Sequence, residues 1–144
     1  FSMAVGAARG LSSNTVSDEV REKNYLNTAS ALIKQSIYEM EIFTEKLKGK
    51  KETVSGLAGL GDLYVSSAGG RNSKMGSCLG EGMTFSQAKK TKMKNITVEG
   101  ADLIFEIGKQ VKQDFDEKKL PLMIAMIDAI LEDKKLKIKW ENFS

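Results

Sequence analysis

The stretch Gly56–Lys74 reads GLAGLGDLYVSSAGGRNSK, and the rest of the chain is arranged around it. It holds Gly56, Gly59, Gly61, Gly69 and Gly70, five of the thirteen glycines in the protein. Beside them stand an aspartate and an Arg-Asn pair, a combination that a plain structural core does not need. Glycine next to polar residues marks backbone that approaches something closely or turns sharply. Asp62 lies among Leu57, Leu60, Leu63 and Val65, which places its carboxylate at the edge of apolar packing. A carboxylate there finds a partner or shifts its pKa. Gly69-Gly70 followed by Arg71-Asn72 reads as a turn feeding a helix, where free N–H groups and a guanidinium converge. Such a convergence suits an anion or a phosphate. Two plainer readings stand beside this one. Gly-rich turns often precede helices without a ligand, and an isolated aspartate is often a cap or a structural hydrogen-bond partner.

Composition narrows the function classes. The chain has 144 residues, 41% hydrophobic and 28% charged, which fits one domain with room for a core. The formal net charge is only +3, and the lysines are spread out without interleaved aromatics, so no nucleic-acid partner is expected. A modest positive balance suits a small anionic substrate. Cys78 is the only cysteine, which rules out an intramolecular disulfide and agrees with a reducing, cytoplasmic setting. There is no histidine, so imidazole chemistry is excluded within these residues and no metal site is expected. Acid–base work falls to Asp, Glu, Lys or Tyr. No run approaches the ~18–20 apolar residues of a membrane span, and no signal peptide is visible. Phe1–Ala8 is almost wholly apolar and has no cap before it, so the chain is expected to be a fragment that starts inside a helix.

Taken in order, Phe1–Ala8 reads as the end of a buried helix closed by Gly10 as a left-handed C-cap. LSSNT (Leu11–Thr15) is a polar loop, and Ser17-Asp18-Glu19 signals a helix start. From Glu19 to Lys48, Leu26, Ile33, Ile37, Met40 and Leu47 share one face, with a break near Asn24 as the alternative. Short helices are predicted over Lys51–Leu57, Leu60–Ser67 and Asn72–Leu79, the last stopped by Gly80 and Gly82. Thr84-Phe85-Ser86-Gln87 is a capping box that opens a basic helix through Lys92. Its lysine run is a solvated face. Val98–Lys112 is amphipathic, with Leu103, Ile104, Ile107 and Val111 on one stripe. Pro121 fits the first position of a helix over Pro121–Asp133, which is apolar most of the way round and so central. Trp140 and Phe143 read as hydrophobic lids. No strand and no internal repeat is visible, and GLAGLG lacks the strand–turn–helix context of a dinucleotide fold. The expected class is all-α, a bundle of about seven or eight helices.

GLAGLGDL, the two serines and GGRNSK together resemble the signature of the NAD-dependent glycerol-3-phosphate dehydrogenases. Further matches run in order: Asn27-Thr28 through Glu39-Met40, Val98-Glu99-Gly100, and Leu120-Pro121-Leu122. The resemblance covers nearly all of residues 1–140, with an apparent insertion at Ser12–Asn24. It implies the all-helical C-terminal domain type of the 6-phosphogluconate dehydrogenase-like dehydrogenases, with residues 1–144 as one substrate-binding domain. The Rossmann NAD-binding domain would precede it and is absent from this chain. The implied reaction interconverts dihydroxyacetone phosphate and sn-glycerol 3-phosphate with NAD or NADP as cofactor. By the same resemblance Asp62 is the active-site aspartate, Ser66 is near the substrate, and Gly70, Arg71 and Asn72 form the phosphate side. Arg71, Thr97 and Glu99 would contact the cofactor, Glu99 also being a plain first-turn acid. The family's catalytic lysine would fall two or three positions before Phe1, so these residues alone are expected to be inactive. A homodimer is compatible with the resemblance. The competing expectation is a helical interaction or dimerisation module without a substrate site of its own.

Overall fold

The computed structural model describes residues 1–13 and 18–144, and the side chains of all of these except 18–24. Among the described residues there are seven α-helices and no strand, as the sequence predicts. They are α1 (Ser2–Leu11), α2 (Asp18–Lys46), α3 (Asp62–Gly69), α4 (Arg71–Gly80), α5 (Phe85–Lys90), α6 (Glu99–Asp114) and α7 (Pro121–Leu131). Single 3-10 turns span Lys51–Thr53 and Trp140–Asn142, and a π-helical turn spans Leu57–Gly61. The expected start of α2 at Ser17, and part of the apparent insertion, lie outside the described residues.

Two helices form the centre. In α7, Leu122, Ile124, Met126, Ile127, Ala129 and Ile130 are all buried, so the helix is surrounded by protein. In α1, Met3, Ala4, Val5, Ala7 and Ala8 are buried, and the helix lies against α4 with almost no side-chain spacer. The reason is a run of glycine on both helices at a spacing of four. A Cβ on Gly6 would sit 2.4 Å from the Ser73 carbonyl oxygen, and one on Gly10 would sit 2.1 Å from that of Ser77. From the other side, a Cβ on Gly80 would lie 2.3 Å from the Ala7 oxygen. Residues four apart share a helix face, so the glycines line up and let the two backbones touch.

Several expectations are corrected here. Gly10 is no left-handed cap, because α1 continues to Leu11 and the only described glycine with positive φ is Gly82. Gly10 is small for packing, not for turning. Gly80 likewise lies inside α4, and Gly82 makes the turn after it. No break occurs near Asn24, since α2 runs on from Asp18. Of the face expected on α2, Ile33, Ile37 and Met40 pack half-buried against the core beside the buried Ala29, Leu32, Ser36 and Glu39, while Leu26 and Leu47 are exposed. On α6, Ile104 and Val111 of the predicted stripe pack inward with Ala101 and Gly108, while Leu103 and Ile107 are open to solvent. Trp140 is also largely exposed; it leans on Phe143, which packs against the core.

Other starts match. The Thr84 hydroxyl accepts from the Gln87 N–H, and the Gln87 side chain accepts from the Thr84 N–H at 2.9 Å, a complete capping box. Asp133 adds to it from the far end of α7, accepting from the Ser86 N–H at 2.7 Å and the Ser86 hydroxyl at 2.6 Å. Pro121 takes the first position of α7, and α5 ends two residues short of Lys92, at Lys90.

An ion network ties α6 to α7. Lys112 donates to Asp128 and, at 2.9 Å, to Glu132, which also pairs with Lys134. The hydrogen bond from Lys134 and then that from Lys112 hold the Glu132 carboxyl down at about 2, against an ordinary 4.5. A carboxylate lowered by folding stabilises the native state above its unfolded pKa and loses that effect as pH falls through the folded one. Stability should therefore drop between about pH 4.5 and about pH 2, and Glu132→Gln should flatten that part of the profile. Thermal melts of the two proteins across this window check it; equal slopes would count against the network.

Candidate functional site

The turn after α3 sets the geometry. Gly70 ends α3 and begins α4, with extended backbone at φ −70° and ψ 171°. A Cβ there would lie 3.1 Å from the Ser66 carbonyl oxygen, so the turn is tight. No side chain caps the start of α4, which leaves its first backbone N–H groups without a side-chain acceptor beside Arg71. Behind the turn, the buried Ser73 hydroxyl donates to the Ser67 carbonyl at 2.6 Å and locks the end of α3 to α4. This is the turn-into-helix arrangement read from GGRN.

A second helix start meets the first. Arg71 forms an ion pair with Glu99, the first residue of α6. Its neighbour Asn72 accepts, through Oδ1, a 2.9 Å hydrogen bond from the Gly100 N–H. Two consecutive residues of α4 therefore hold two consecutive residues of α6. The N-termini of both helices, each with a partial positive charge, open on the same place. Arg71 and Glu99 are both more than half exposed, so the pair faces water and a ligand can reach it. Thr97, two residues before Glu99, is exposed as well.

Asp62 is placed differently from the expectation. It is the first residue of α3 and is exposed, not held at an apolar edge. Leu57, Leu60 and Val65 around it are themselves exposed, at 90%, 40% and 70%, and only Leu63 is buried. Ser66, four residues on, shares the Asp62 face of the helix and is half-buried. Among the described residues no hydrogen bond joins Asp62 or Ser66 to the Arg71 group. The structure thus brings together Arg71, Asn72 and Glu99, sets Thr97 on the same edge, and leaves Asp62 and Ser66 on the adjoining helix.

Asn72 and Gly100 also border a cleft of about 370 Å³ whose other walls include Met3, Met40, Ile104 and Met126. The cleft is apolar apart from that edge and Ser2 and Thr44, so an anion would sit at its mouth and not within it.

Gly100 and Glu39 carry weight that the sequence reading did not assign. Gly100 appeared only as the end of a V-E-G match, and its N–H proves to orient Asn72. Glu39 appeared only as the end of a helix match. It is completely buried and accepts from Gln35 at 2.9 Å and from the Leu122 and Met123 N–H groups at 2.7 Å each. Burial raises its carboxyl above the ordinary range, against the lowering effect of these donors. The available signal was the start of α7, which offers no capping side chain at Leu120 and so needs an acceptor from elsewhere.

Comparison with known proteins gives a consistent picture. A family model described as NAD-dependent glycerol-3-phosphate dehydrogenase C-terminus matches residues 1–140. A protein of Chlamydia pneumoniae named glycerol-3-phosphate dehydrogenase (NAD(P)+) is 32% identical over 142 residues, covering 95% of this chain and 37% of its own length. The Agathobacter rectalis protein of that name is 32% identical over 133 residues, covering 80% and 39%. One from Pseudomonas aeruginosa is 37% identical over 108 residues, covering 73% and 30%. The chain thus spans less than two-fifths of the length of these relatives. No solved structure matches. Among the described residues no helix is long and apolar enough to cross a membrane.

Proposed function

This chain belongs to the C-terminal family of the NAD-dependent glycerol-3-phosphate dehydrogenases, and from that premise we propose that it is the substrate-binding domain of an oxidoreductase that interconverts dihydroxyacetone phosphate and sn-glycerol 3-phosphate with NAD(P)H, a reaction that feeds glycerophospholipid synthesis. The observation that carries the reading is the meeting of the starts of α4 and α6 at Arg71 and Asn72. A phosphate dianion needs a guanidinium and several N–H donors at one point, and this point supplies them.

The chain's own residues divide the work. Arg71 pairs with the phosphate, and the N–H groups at the start of α4, opened by Gly70, add hydrogen bonds. The Asn72 carboxamide donates from the same side. Asp62 and Ser66, one turn apart on α3, face the reacting end, where Asp62 holds a proton-transferring lysine supplied from outside these residues. Without that lysine and the nucleotide-binding domain, residues 1–144 bind substrate weakly and do not turn it over. The nicotinamide cofactor supplies the hydride. Arg71, Thr97 and Glu99 fit an edge contact with it, because all three are exposed on one rim and none is held in the core. The exposed apolar residues Leu57, Leu60, Tyr64 and Val65, next to Asp62, are the face on which the nucleotide-binding domain of the longer protein closes.

The test is the loss of NADH absorbance when the full-length protein meets dihydroxyacetone phosphate. Arg71→Ala removes a charge-assisted bond worth ~1.5–3 kcal/mol, so KM for dihydroxyacetone phosphate should rise about 10- to 100-fold. Absence of turnover in the parent with either NADH or NADPH would overturn the proposal.

A further inference from the structure

We propose that Gly100 is a positioning residue for substrate phosphate: its N–H fixes the Asn72 carboxamide so that the NH2 group, and not the carbonyl oxygen, faces the anion. This rests on the proposed dehydrogenase function and adds a residue and a mechanism to it.

One hydrogen bond fixes the amide. A backbone N–H can only donate, so the Asn72 atom 2.9 Å from the Gly100 nitrogen must be the carbonyl oxygen. That settles the orientation of an amide whose two ends are otherwise nearly alike. With Oδ1 engaged, the Nδ2 group points away from α6 and has no protein partner among the described residues. It is left as a two-proton donor on the residue that follows Arg71 at the start of α4. In the opposite orientation Asn72 would present its oxygen to a dianion, and the contact would repel.

Position 100 also has to be glycine. A Cβ there would come within 2.8 Å of Asn72 Oδ1 and 3.2 Å of the Met3 methyl. The methyl is the end of a flexible side chain and can move. The Asn72 oxygen cannot move without losing the bond that orients it. Gly100 is the second residue of α6, whose N-cap, Val98, is buried and has no capping side chain. Asn72 therefore serves two helices at once. Its oxygen satisfies an end group of α6 and its NH2 remains at the start of α4. Glu99 acts on the other member of the pair, holding the Arg71 guanidinium to the same helix end. The pair is thus held in place before the ligand arrives.

The experiment uses the full-length protein with Gly100→Ala, Asn72→Ser and the double variant. NADH oxidation is followed with dihydroxyacetone phosphate and, separately, with phosphate-free dihydroxyacetone at high concentration. Gly100→Ala should raise KM for dihydroxyacetone phosphate about tenfold, with kcat changed less than about twofold and kcat/KM for dihydroxyacetone unchanged, as expected when a single oriented contact is lost. Serine is too short to meet a Cβ at position 100, so the double variant should be no worse than Asn72→Ser alone, a non-additivity that reports direct coupling. A purely structural, helix-capping role would lower the melting temperature and damage both substrates alike, and that pattern would overturn the proposal. So would additive effects in the double variant. A parent without turnover on either substrate would instead remove the dehydrogenase reading on which the proposal stands.

Discussion

Gly76→Val should cost the protein several kcal/mol and leave little of it folded at physiological temperature. A Cβ at position 76 would lie 1.9 Å from the Met3 carbonyl oxygen, 2.8 Å from its carbon and 2.9 Å from the Ala7 nitrogen. All three are backbone atoms of α1, so no side chain can swing aside and the whole helix must move away from α4. That separation opens the packing around Met3, Ala7, Met75 and Leu79, which are essentially inaccessible to solvent. Overpacking that a core can absorb costs ~1–3 kcal/mol; a backbone-to-backbone clash that separates two central helices should exceed ~3 kcal/mol. Against a total stability of ~5–15 kcal/mol this is a large fraction. Even Gly76→Ala should lower the melting temperature by about 10 °C. Gly69→Ala is the control, because a Cβ there meets nothing within 4 Å and the residue is the last of α3. It should be neutral or slightly stabilising, since alanine loses less entropy than glycine in a helix. Urea unfolding followed by circular dichroism separates the cases; equal midpoints for the two alanine variants would refute the close-packing account.

The contrast between these glycines shows what the sequence carries and what it does not. Local signals read correctly where one short segment contains all the physics. The Thr84 box, Pro121 at the head of α7 and Gly70 ahead of Arg71 each settle their own helix start. The all-α class and the family resemblance were legible for the same reason, since apolar spacing and short motifs are local. Gly10 and Gly80 misled because glycine has two uses, turning and close approach, and only the partner helix decides between them. The spacing was visible, with Gly6 and Gly10 in one segment and Gly76 and Gly80 in another, but their pairing is a tertiary fact. Asp62 misled for another reason. The π-helical turn at Leu57–Gly61 holds more than the usual residues per turn, so Leu57 and Leu60 do not continue the face of Leu63. Counting Leu57, Leu60, Leu63 and Val65 as one apolar neighbourhood set the carboxylate at an apolar edge, whereas the structure leaves it in water. In the site itself, Arg71, Asn72 and Glu99 were named from motifs, while the hydrogen bond that joins two of those motifs, Asn72 to Gly100, spans 28 positions and leaves no mark on either.

Replacing Glu39 by leucine should destabilise the protein about as severely as the Gly76 change, for the opposite physical reason. Nothing clashes, but two buried donors and one half-buried donor lose their acceptor at once. Oε1 serves Gln35 Nε2 and the Leu122 N–H, and Oε2 serves the Met123 N–H. Pro121 has no N–H, so Leu122 and Met123 are the first donors of α7, and Leu120 offers no cap. Glu39 therefore caps, from 83 residues away, the helix that the rest of the core surrounds. The released Gln35 also accepts from the Ser144 N–H at 3.1 Å, so the loss reaches the C-terminal segment. Each orphaned buried donor costs ~1–3 kcal/mol, which puts Glu39→Leu above ~3 kcal/mol. Glu39→Gln separates shape from charge: it keeps one acceptor oxygen but turns an NH2 toward a donor, and should cost ~1–2 kcal/mol. Its pH dependence is the sharper test. Burial raises the folded carboxyl of Glu39 above its ordinary value, so the native state takes up a proton more readily than the unfolded chain. For a raised group, the stabilising contribution is complete below the unfolded pKa and is lost as pH climbs through the folded one. Glutamine has no proton to take up, so the stability gap between parent and Glu39→Gln should be widest in acid and narrow toward neutral pH. Urea midpoints measured from acid to neutral pH would show it, and a gap that widens with pH would mean that the ionised carboxylate, not burial, dominates at this helix start.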